Sequence, residues 1–121
     1  MHLYVTVSGM SNTHRNKADR LFSIQIRSYG ECEAAGHPID CSPKLECAHW
    51  VSRRYSWTRT YEPNAFCLCS AHHRWFTANP TEFGRWAIDQ RGEEVYQEVL
   101  RRSQERAKFS WEDELARLEE W

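Results

Sequence analysis

Three side chains in the middle of the chain are of types suited to hydrolytic or metal chemistry: His49, Asn64 and His73. An imidazole titrates near neutral pH, so each histidine can act as a general base or as a metal ligand. An asparagine amide can brace a loop by hydrogen bonding, or bind a metal through its oxygen. Because the three residues follow one another within residues 46–77, we predict that this stretch contains the functional site.

Cysteine and histidine residues around the same stretch form a pattern typical of a structural zinc site. Cys69 and His72 have the two-residue spacing of a zinc half-site at a helix start. Cys32 and Cys41 are the candidates for the other half-site, although their separation exceeds the usual two to four residues, and His37 could replace one of them. We predict that Zn²⁺ binds Cys32, Cys41, Cys69 and His72; the alternative is that these are ordinary buried residues.

The number of cysteines supports metal binding over disulfide bonding. The 121-residue chain has five cysteines, and an odd number argues against a complete disulfide framework. The two remaining cysteines, Cys47 and Cys67, fall on predicted strands, where a free thiol packs as a small hydrophobic group.

The elements around these residues occur in the order strand, loop, strand, helix. A short strand covers residues 45–51, a long excursion covers residues 52–63, and a second strand lies near residues 65–68. A helix then begins at Cys69 or Ser70 and runs to about Phe76. Before the first strand, Gly36, Pro38 and Pro43 predict an irregular loop over residues 31–44.

With this order, the chain resembles the HNH endonucleases. The resemblance rests on Leu45-Glu-Cys-Ala-His-Trp-Val and on Cys69-Ser-Ala-His-His-Arg-Trp-Phe, and it covers residues 17–92. It is strongest to the small phage-encoded HNH nucleases that contain a structural zinc site. It implies an α+β fold with a ββα-metal (His-Me finger) core, and an enzyme that hydrolyses DNA to 5′-phosphate and 3′-hydroxyl ends.

The family also implies roles for the three residues. His49 matches the general base that deprotonates water, and His73 matches a ligand of the catalytic Mg²⁺ or Mn²⁺. Asn64 matches the middle residue, which braces the loop in most members and binds the metal in some. Two positions depart from the commonest pattern, because Ala48 and Thr77 stand where many members have further metal ligands.

Glu46 offers a replacement for the missing ligand. It lies two residues before Ala48, so on a strand both side chains point to the same face. We therefore include Glu46, with His73 and Asn64, among the candidate ligands of the catalytic ion. A site with so few protein ligands suits an ion that keeps several waters.

The excursion between the strands is rich in arginine and aromatic residues, which is typical of a nucleic-acid contact. The aromatic residues, Tyr55, Trp57 and Tyr61, either stack on DNA or pack the excursion on the core. The arginines predicted to contact DNA phosphates are Arg53, Arg54, Arg59 and Arg74.

The charge is uneven along the chain, although the net charge is only −1. Residues 1–91 carry 11 Lys and Arg against 8 Asp and Glu, and residues 92–121 carry 5 against 9. The net negative charge of residues 92–121 therefore offsets the net positive charge of residues 1–91, which contain the motif. We divide the chain into a leader or edge strand (residues 1–13), a nuclease domain (14–92), and acidic helices packed on the same domain (93–121).

The class of protein expected is a metal-dependent endonuclease that nicks or cuts DNA in the cytoplasm, which is the host cytoplasm if the chain is phage-encoded. No apolar run is long enough to span a membrane. One alternative is a zinc-containing DNA-binding module without activity. Another is an adaptor within a phage assembly, with packaging or recombination proteins as partners.

Overall fold

A computed structural model describes the backbone of residues 2–36 and 38–121, and the side chains of residues 13–36 and 38–121. The described elements are a two-stranded sheet and six α-helices, so the fold is of the mixed α+β class. In chain order they are α1 (His2–Arg27), β1 (Leu45–His49), α2 (Ser56–Arg59), a 3-10 turn (Glu62–Asn64), β2 (Ala65–Cys69), α3 (Ser70–Ala78), α4 (Pro80–Arg91), α5 (Glu93–Ser103) and α6 (Trp111–Glu119).

The two strands are antiparallel, with Leu45 opposite Cys69 and His49 opposite Ala65. All five residues of β2 are buried, because helices cover both faces of the sheet. Ala65 and Cys67 face α1 and α6, whereas Phe66 and Leu68 face α3 and α4. Alternation of side chains along a strand gives the two faces their separate cores.

The cores on the two faces differ in composition. The face towards α1 and α6 includes Ala18, Phe22, Ile26 and Leu118. The opposite face is mainly aromatic, and rings of Phe76, Phe83 and Trp86 stack there. Cys47 and Cys67 are cross-strand neighbours, and both are free thiols. Burial raises the pKa of both thiols, so they are protonated at neutral pH.

The starts of the C-terminal helices follow known sequence signals. Ser110 caps α6 by accepting a hydrogen bond from the Asp113 amide at 3.1 Å, as its position predicts. Helix α4 begins at Pro80, with Asn79 at the position before its first turn, so Thr81 lies inside the helix. Proline suits the first position of a helix because its ring fixes the required φ angle and its missing N–H has no intrahelical partner there.

The N-terminal residues differ from the expected leader or edge strand. Residues 2–13 extend α1 as helix, whereas Met1 lies outside the described residues. Once a helix is nucleated at its well-packed end, each further residue adds one hydrogen bond at little cost. A β-favouring run such as residues 3–7 therefore continues the helix where no partner strand pairs with it. In the described part of the chain, no helix has both the length and the apolar character needed to cross a membrane.

Helices α5 and α6 pack on the rest of the chain. Helix α6 lies along α1, and α5 contacts α2 and the 3-10 turn. The Trp57 indole donates to the Ala107 carbonyl at 2.7 Å, and the Arg102 guanidinium lies 4.2 Å from the centre of the Tyr61 ring. The acidic end therefore supports the excursion between the strands.

Candidate functional site

Three cysteines and one histidine meet at the start of α3. The ligand atoms of Cys32, Cys41, Cys69 and His72 all lie within 4.8 Å of one another. The Nδ1 atom of His72 is 3.2 Å from the sulfur of Cys69, and 3.6 Å from the sulfurs of Cys32 and Cys41. Among the described residues, this is the only group of three or more such side chains gathered closely enough to hold an ion.

The spacing of these atoms fits a tetrahedral zinc ion. With Zn–S of about 2.3 Å and Zn–N of about 2.1 Å, tetrahedral ligands place sulfur and nitrogen about 3.6 Å apart. The observed separations of 3.2 to 3.6 Å are close to this value. The Cys3His group could therefore hold a structural metal such as zinc, with the four ligands predicted from the sequence.

Local charge also favours a metal at this position. Burial alone would raise the pKa of the Cys69 thiol, but hydrogen bonds from the His72 and Ser42 backbone outweigh burial and lower it. A thiolate is the form that binds a metal. His37, which could have replaced one of the cysteines, lies outside the described residues.

The Cys3His group joins the irregular loop to the sheet and to α3. Cys32 and Cys41 come from the loop over residues 28–44, Cys69 ends β2, and His72 belongs to the first turn of α3. Hydrogen bonds reinforce the junction: the Ala71 amide donates to Ser42 Oγ at 2.9 Å. This junction fixes the start of α3, and therefore the position of the neighbouring His73.

His49 and His73 line one cleft between α1, the end of β1 and α3. The cleft has a volume of about 580 Å³, and Asp19 and Phe22 of α1 also line it. The structure therefore brings together two of the three residues of the His-Asn-His pattern at a surface that a ligand can reach.

A hydrogen bond to the backbone fixes the His49 ring. Its Nε2 atom is 2.8 Å from the carbonyl oxygen of Arg59. A carbonyl can only accept, so Nε2 carries the proton and Nδ1 holds the basic lone pair. Burial lowers the pKa of His49 below its ordinary value of 6.5, so the ring is neutral at neutral pH. This is the state that a general base requires.

Asn64 is fully buried behind the cleft and braces the excursion. Its side-chain oxygen accepts from the Val51 amide at 2.6 Å, and its nitrogen donates to the Val51 and Thr58 carbonyls at 3.0 Å. The metal-ligand role considered for Asn64 does not fit this geometry, because the oxygen is already bonded and no solvent reaches it. Of the two roles that the family implies, the brace is the one that fits.

His73 lies directly beside Glu46. The Nδ1 atom of His73 is 2.8 Å from one carboxylate oxygen of Glu46, and Ser70 Oγ donates to the other at 2.9 Å. The hydrogen bond to His73 is the main reason that the pKa of Glu46 is lowered, so the carboxylate is ionised at neutral pH. The pair is half-buried and faces solvent beside Arg74 and Thr77.

The two positions that depart from the family pattern do not contribute ligands. Ala48 is buried in the core with Phe66, as its apolar side chain requires. Thr77 uses its hydroxyl within its own helix, where it donates to the His73 carbonyl at 2.8 Å. Among the candidates from the sequence, His73 and Glu46 therefore remain able to hold a catalytic ion. They line a surface pocket next to the cleft, and His73 lines both.

The arginines predicted to contact DNA fall into two groups. Arg53, Arg54 and Arg74 are exposed near the cleft. Arg59 does not fit the prediction, because its guanidinium donates two hydrogen bonds to Asp19, at 2.9 Å and 2.7 Å, and its side chain is only 16% exposed. A partly buried ion pair with two hydrogen bonds leaves the guanidinium little freedom to reach a phosphate.

Two of the three aromatic residues of the excursion, Trp57 and Tyr61, favour the packing alternative. Trp57 packs edge-on against Phe109, with ring centres 4.9 Å apart, and Tyr61 lies against Arg102. These rings attach the excursion to the C-terminal part of the chain, so they are not free to stack on bases.

Sequence reasoning missed Asp19, which lines the cleft and binds Arg59. One signal could have identified it, because Asp19 is the only carboxylate in the sequence of α1, which is otherwise basic. An isolated acidic residue on a basic helix commonly has a basic partner elsewhere in the fold.

Comparisons of this chain with protein-family models, with curated proteins and with solved structures found no match. The fold and site define a small α+β protein with a Cys3His cluster that could hold a metal ion, beside a cleft lined by two histidines.

Proposed function

We propose that this chain is an HNH-type endonuclease that hydrolyses DNA phosphodiester bonds with the help of a divalent cation. The observation that carries the proposal is the cleft in which His49 and His73 meet. His49 is neutral, oriented and partly buried there, and a second histidine paired with a carboxylate lies on the facing helix. A base next to a candidate cation site is the arrangement that hydrolysis of a phosphodiester requires.

In the proposed reaction, the lone pair on Nδ1 of His49 takes a proton from a water molecule. The water oxygen forms a bond to phosphorus as the bond from phosphorus to the 3′ oxygen breaks. The departing 3′ alkoxide takes a proton from solvent water, and the His49 imidazolium later returns its proton to solvent, so that DNA ends in a 5′-phosphate and a 3′-hydroxyl. The Arg59 carbonyl stabilises the imidazolium that forms, because it accepts from Nε2–H throughout the step. The cleft itself is lined by Phe22, which limits water around the ring.

His73 and Glu46 are the residues that would hold the catalytic cation. Their nearest atoms, His73 Nδ1 and a carboxylate oxygen of Glu46, are 2.8 Å apart, so both could bind one cation after the proton between them is released. One nitrogen and one oxygen ligand fit an ion, such as Mg²⁺ or Mn²⁺, that keeps most of its waters. When bound, the cation would neutralise charge that develops on the phosphate oxygens.

The DNA backbone would lie across the exposed arginines beside the cleft. Arg53 is 55% exposed, and Arg54 and Arg74 are also at the surface. Each phosphate that an arginine neutralises contributes sequence-independent affinity that weakens with salt. The Cys3His cluster would then act as a structural element that holds α3, and with it His73, against the sheet.

The proposal is tested by incubating supercoiled plasmid with zinc-loaded protein that has been freed of other divalent ions, to which Mg²⁺ or Mn²⁺ is then added. The zinc content is measured first, so that only folded protein is compared. We expect conversion of the plasmid to open-circular or linear DNA with added metal and none with EDTA. Failure of folded, DNA-binding protein to cleave with either metal would refute the endonuclease proposal.

A second candidate function is supported by a specific observation. Ala48 is 1% exposed within the core, so the position that provides a metal ligand in many HNH nucleases provides none here. This favours a zinc-containing DNA-binding module that has lost catalysis. Such a module would bind DNA in a salt-dependent manner without cleaving it, which the plasmid experiment distinguishes directly.

A further inference from the structure

We propose that Asp19 on α1 is a positioning residue that orients the general base His49 through Arg59. This inference rests on the proposed function, because it assigns a role within the same reaction. Asp19 does not contact His49 by a hydrogen bond; the connection runs from its carboxylate to the Arg59 guanidinium, and from the Arg59 carbonyl to His49.

The first link is a two-point ion pair. Arg59 Nε donates to one oxygen of Asp19 at 2.9 Å, and Arg59 Nη2 donates to the other at 2.7 Å. The side chains are only 19% and 16% exposed, so water screens the pair weakly. Two parallel hydrogen bonds fix the orientation of the guanidinium as well as its position.

The second link is the backbone of Arg59 itself. Arg59 is the last residue of α2, which is four residues long, and so short a helix has little stability of its own. Its carbonyl oxygen is nevertheless the atom that accepts from His49 Nε2 at 2.8 Å. The position of that oxygen therefore depends on contacts made by the Arg59 side chain, which also donates to the Arg53 carbonyl at 3.0 Å.

The packing of helix α1 holds Asp19, and therefore the whole series of contacts, in place. Phe22 lies on the same face of α1 as Asp19, one turn further along, and its ring centre is 6.0 Å from that of His49. Phe22 is buried in the core, so this part of α1 is rigidly packed. The helix thus contacts one face of the imidazole directly and fixes its Nε2 partner indirectly.

Asp19 also pairs with Arg53, and this contact offers a competing explanation for the role of Asp19. Arg53 Nη2 donates to Asp19 at 3.2 Å, and Arg53 is exposed where DNA would lie. If Asp19 served mainly to hold Arg53, its loss would change DNA affinity. If it orients His49 through Arg59, its loss would lower kcat and leave affinity unchanged.

The test is a double-mutant cycle with Asp19→Asn and Arg59→Met, measured as kcat and KM for plasmid nicking. Glu33→Gln is the matched control, because Glu33 also pairs with an arginine and is similarly exposed, but lies away from the cleft. All variants are checked for zinc content and thermal unfolding. The tautomer of His49 is read in parallel from ¹⁵N chemical shifts, at a pH where the ring is neutral.

We expect Asp19→Asn and Arg59→Met each to lower kcat by about 10-fold to 100-fold with KM unchanged, as small displacements of a catalytic group do. The double variant should equal Arg59→Met alone, because the two residues act in series. Glu33→Gln should retain wild-type kcat. The variants should also populate the Nδ1–H tautomer of His49, which is absent from the wild type.

Two results would overturn the inference. One is a full additional loss of kcat when Asp19→Asn is added to Arg59→Met; the other is weakened DNA binding with kcat unchanged. If the wild type cleaves no DNA, the proposed function fails, but the role of Asp19 can still be tested by the tautomer measurement. An unchanged His49 tautomer in folded Asp19→Asn protein would refute the positioning role.

Discussion

The imidazole of His49 donates from Nε2 to the backbone oxygen of Arg59 at 2.8 Å. This contact leaves Nδ1 as the basic nitrogen, and it links β1 to the excursion between the strands. In the proposed reaction, the ring would therefore already have the orientation that proton transfer needs. Several properties of the chain can be measured to test this arrangement and its surroundings.

The Cys3His group is expected to bind one zinc ion that the fold requires. Replacing Cys69 with serine should abolish zinc binding and destabilise the fold by several kcal/mol or more, since metal binding contributes directly to folding. Cys47→Ser is the control, because Cys47 is a free thiol outside the group. Zinc content and thermal unfolding measure the effect, and full zinc content in Cys69→Ser protein would contradict the ligand assignment.

Asp19 should stabilise the fold in a pH-dependent way. Burial raises the pKa of Asp19, but its hydrogen bonds and ion pairs with Arg59 and Arg53 outweigh burial and lower it below 3.8. A group with a lowered folded pKa stabilises the fold above its unfolded pKa, and this contribution is lost as the pH falls through the folded value. Asp19→Asn should therefore be less stable than wild type at pH 6.

The difference in free energy of unfolding between wild type and Asp19→Asn should shrink as the pH is lowered below 3.8. Acid also releases zinc, but it does so in both proteins. The difference between their free energies of unfolding therefore reports the contribution of Asp19 alone. Denaturant unfolding at a series of pH values provides the measurement. A difference that stays constant down to the lowest accessible pH would show that Asp19 titrates in the same way in both states.

Glu46 should contribute to binding of the catalytic cation. Replacing Glu46 with glutamine keeps an oxygen that can accept from His73, but removes the charge that attracts a divalent ion. We expect the affinity for Mn²⁺ to fall at least about 10-fold, as measured by calorimetry on zinc-loaded protein, with zinc content unchanged. Wild-type Mn²⁺ affinity in Glu46→Gln protein would instead mean that Glu46 only orients the His73 ring.

Arg53 and Arg54 should supply phosphate contacts. Each phosphate contact adds about 0.9 to the slope of log affinity against log salt concentration for duplex DNA. The double variant Arg53→Gln/Arg54→Gln should therefore bind DNA more weakly, with the slope reduced by about 2. Arg101→Gln on α5 is the control, since Arg101 is also exposed at the surface but does not line the cleft. An unchanged slope in the double variant would exclude these arginines from the DNA contact.

The parts of the site formed by local sequence could be predicted. The spacing of Cys69 and His72 fixes their relation within the first turn of α3, and this turn also determines where His73 lies. The order strand, loop, strand, helix follows from the apolar runs and the breakers between them. These signals act over a few residues, so they do not depend on how the rest of the chain folds.

Distant contacts without a recognisable ligand pattern could not be predicted, in contrast to the Cys3His group, whose residue types identified its two halves. Arg59 has the composition of a phosphate contact, but the partner that binds it lies on α1, 40 positions away in the sequence. The same applies to the backbone of residues 2–13, which continues helix α1 although the sequence of residues 3–7 favours a strand. The secondary-structure preference of a short segment does not reveal which distant segment it will contact.

The most direct test of the proposed function compares His49→Ala with His14→Ala in plasmid nicking, at equal zinc content and with Mg²⁺ or Mn²⁺ present. His14 is a histidine of α1 that does not line the cleft, so it controls for the loss of an imidazole. We predict that His49→Ala loses nearly all activity, whereas His14→Ala retains it. Equal rates in the two variants would contradict the assignment of His49 as the general base.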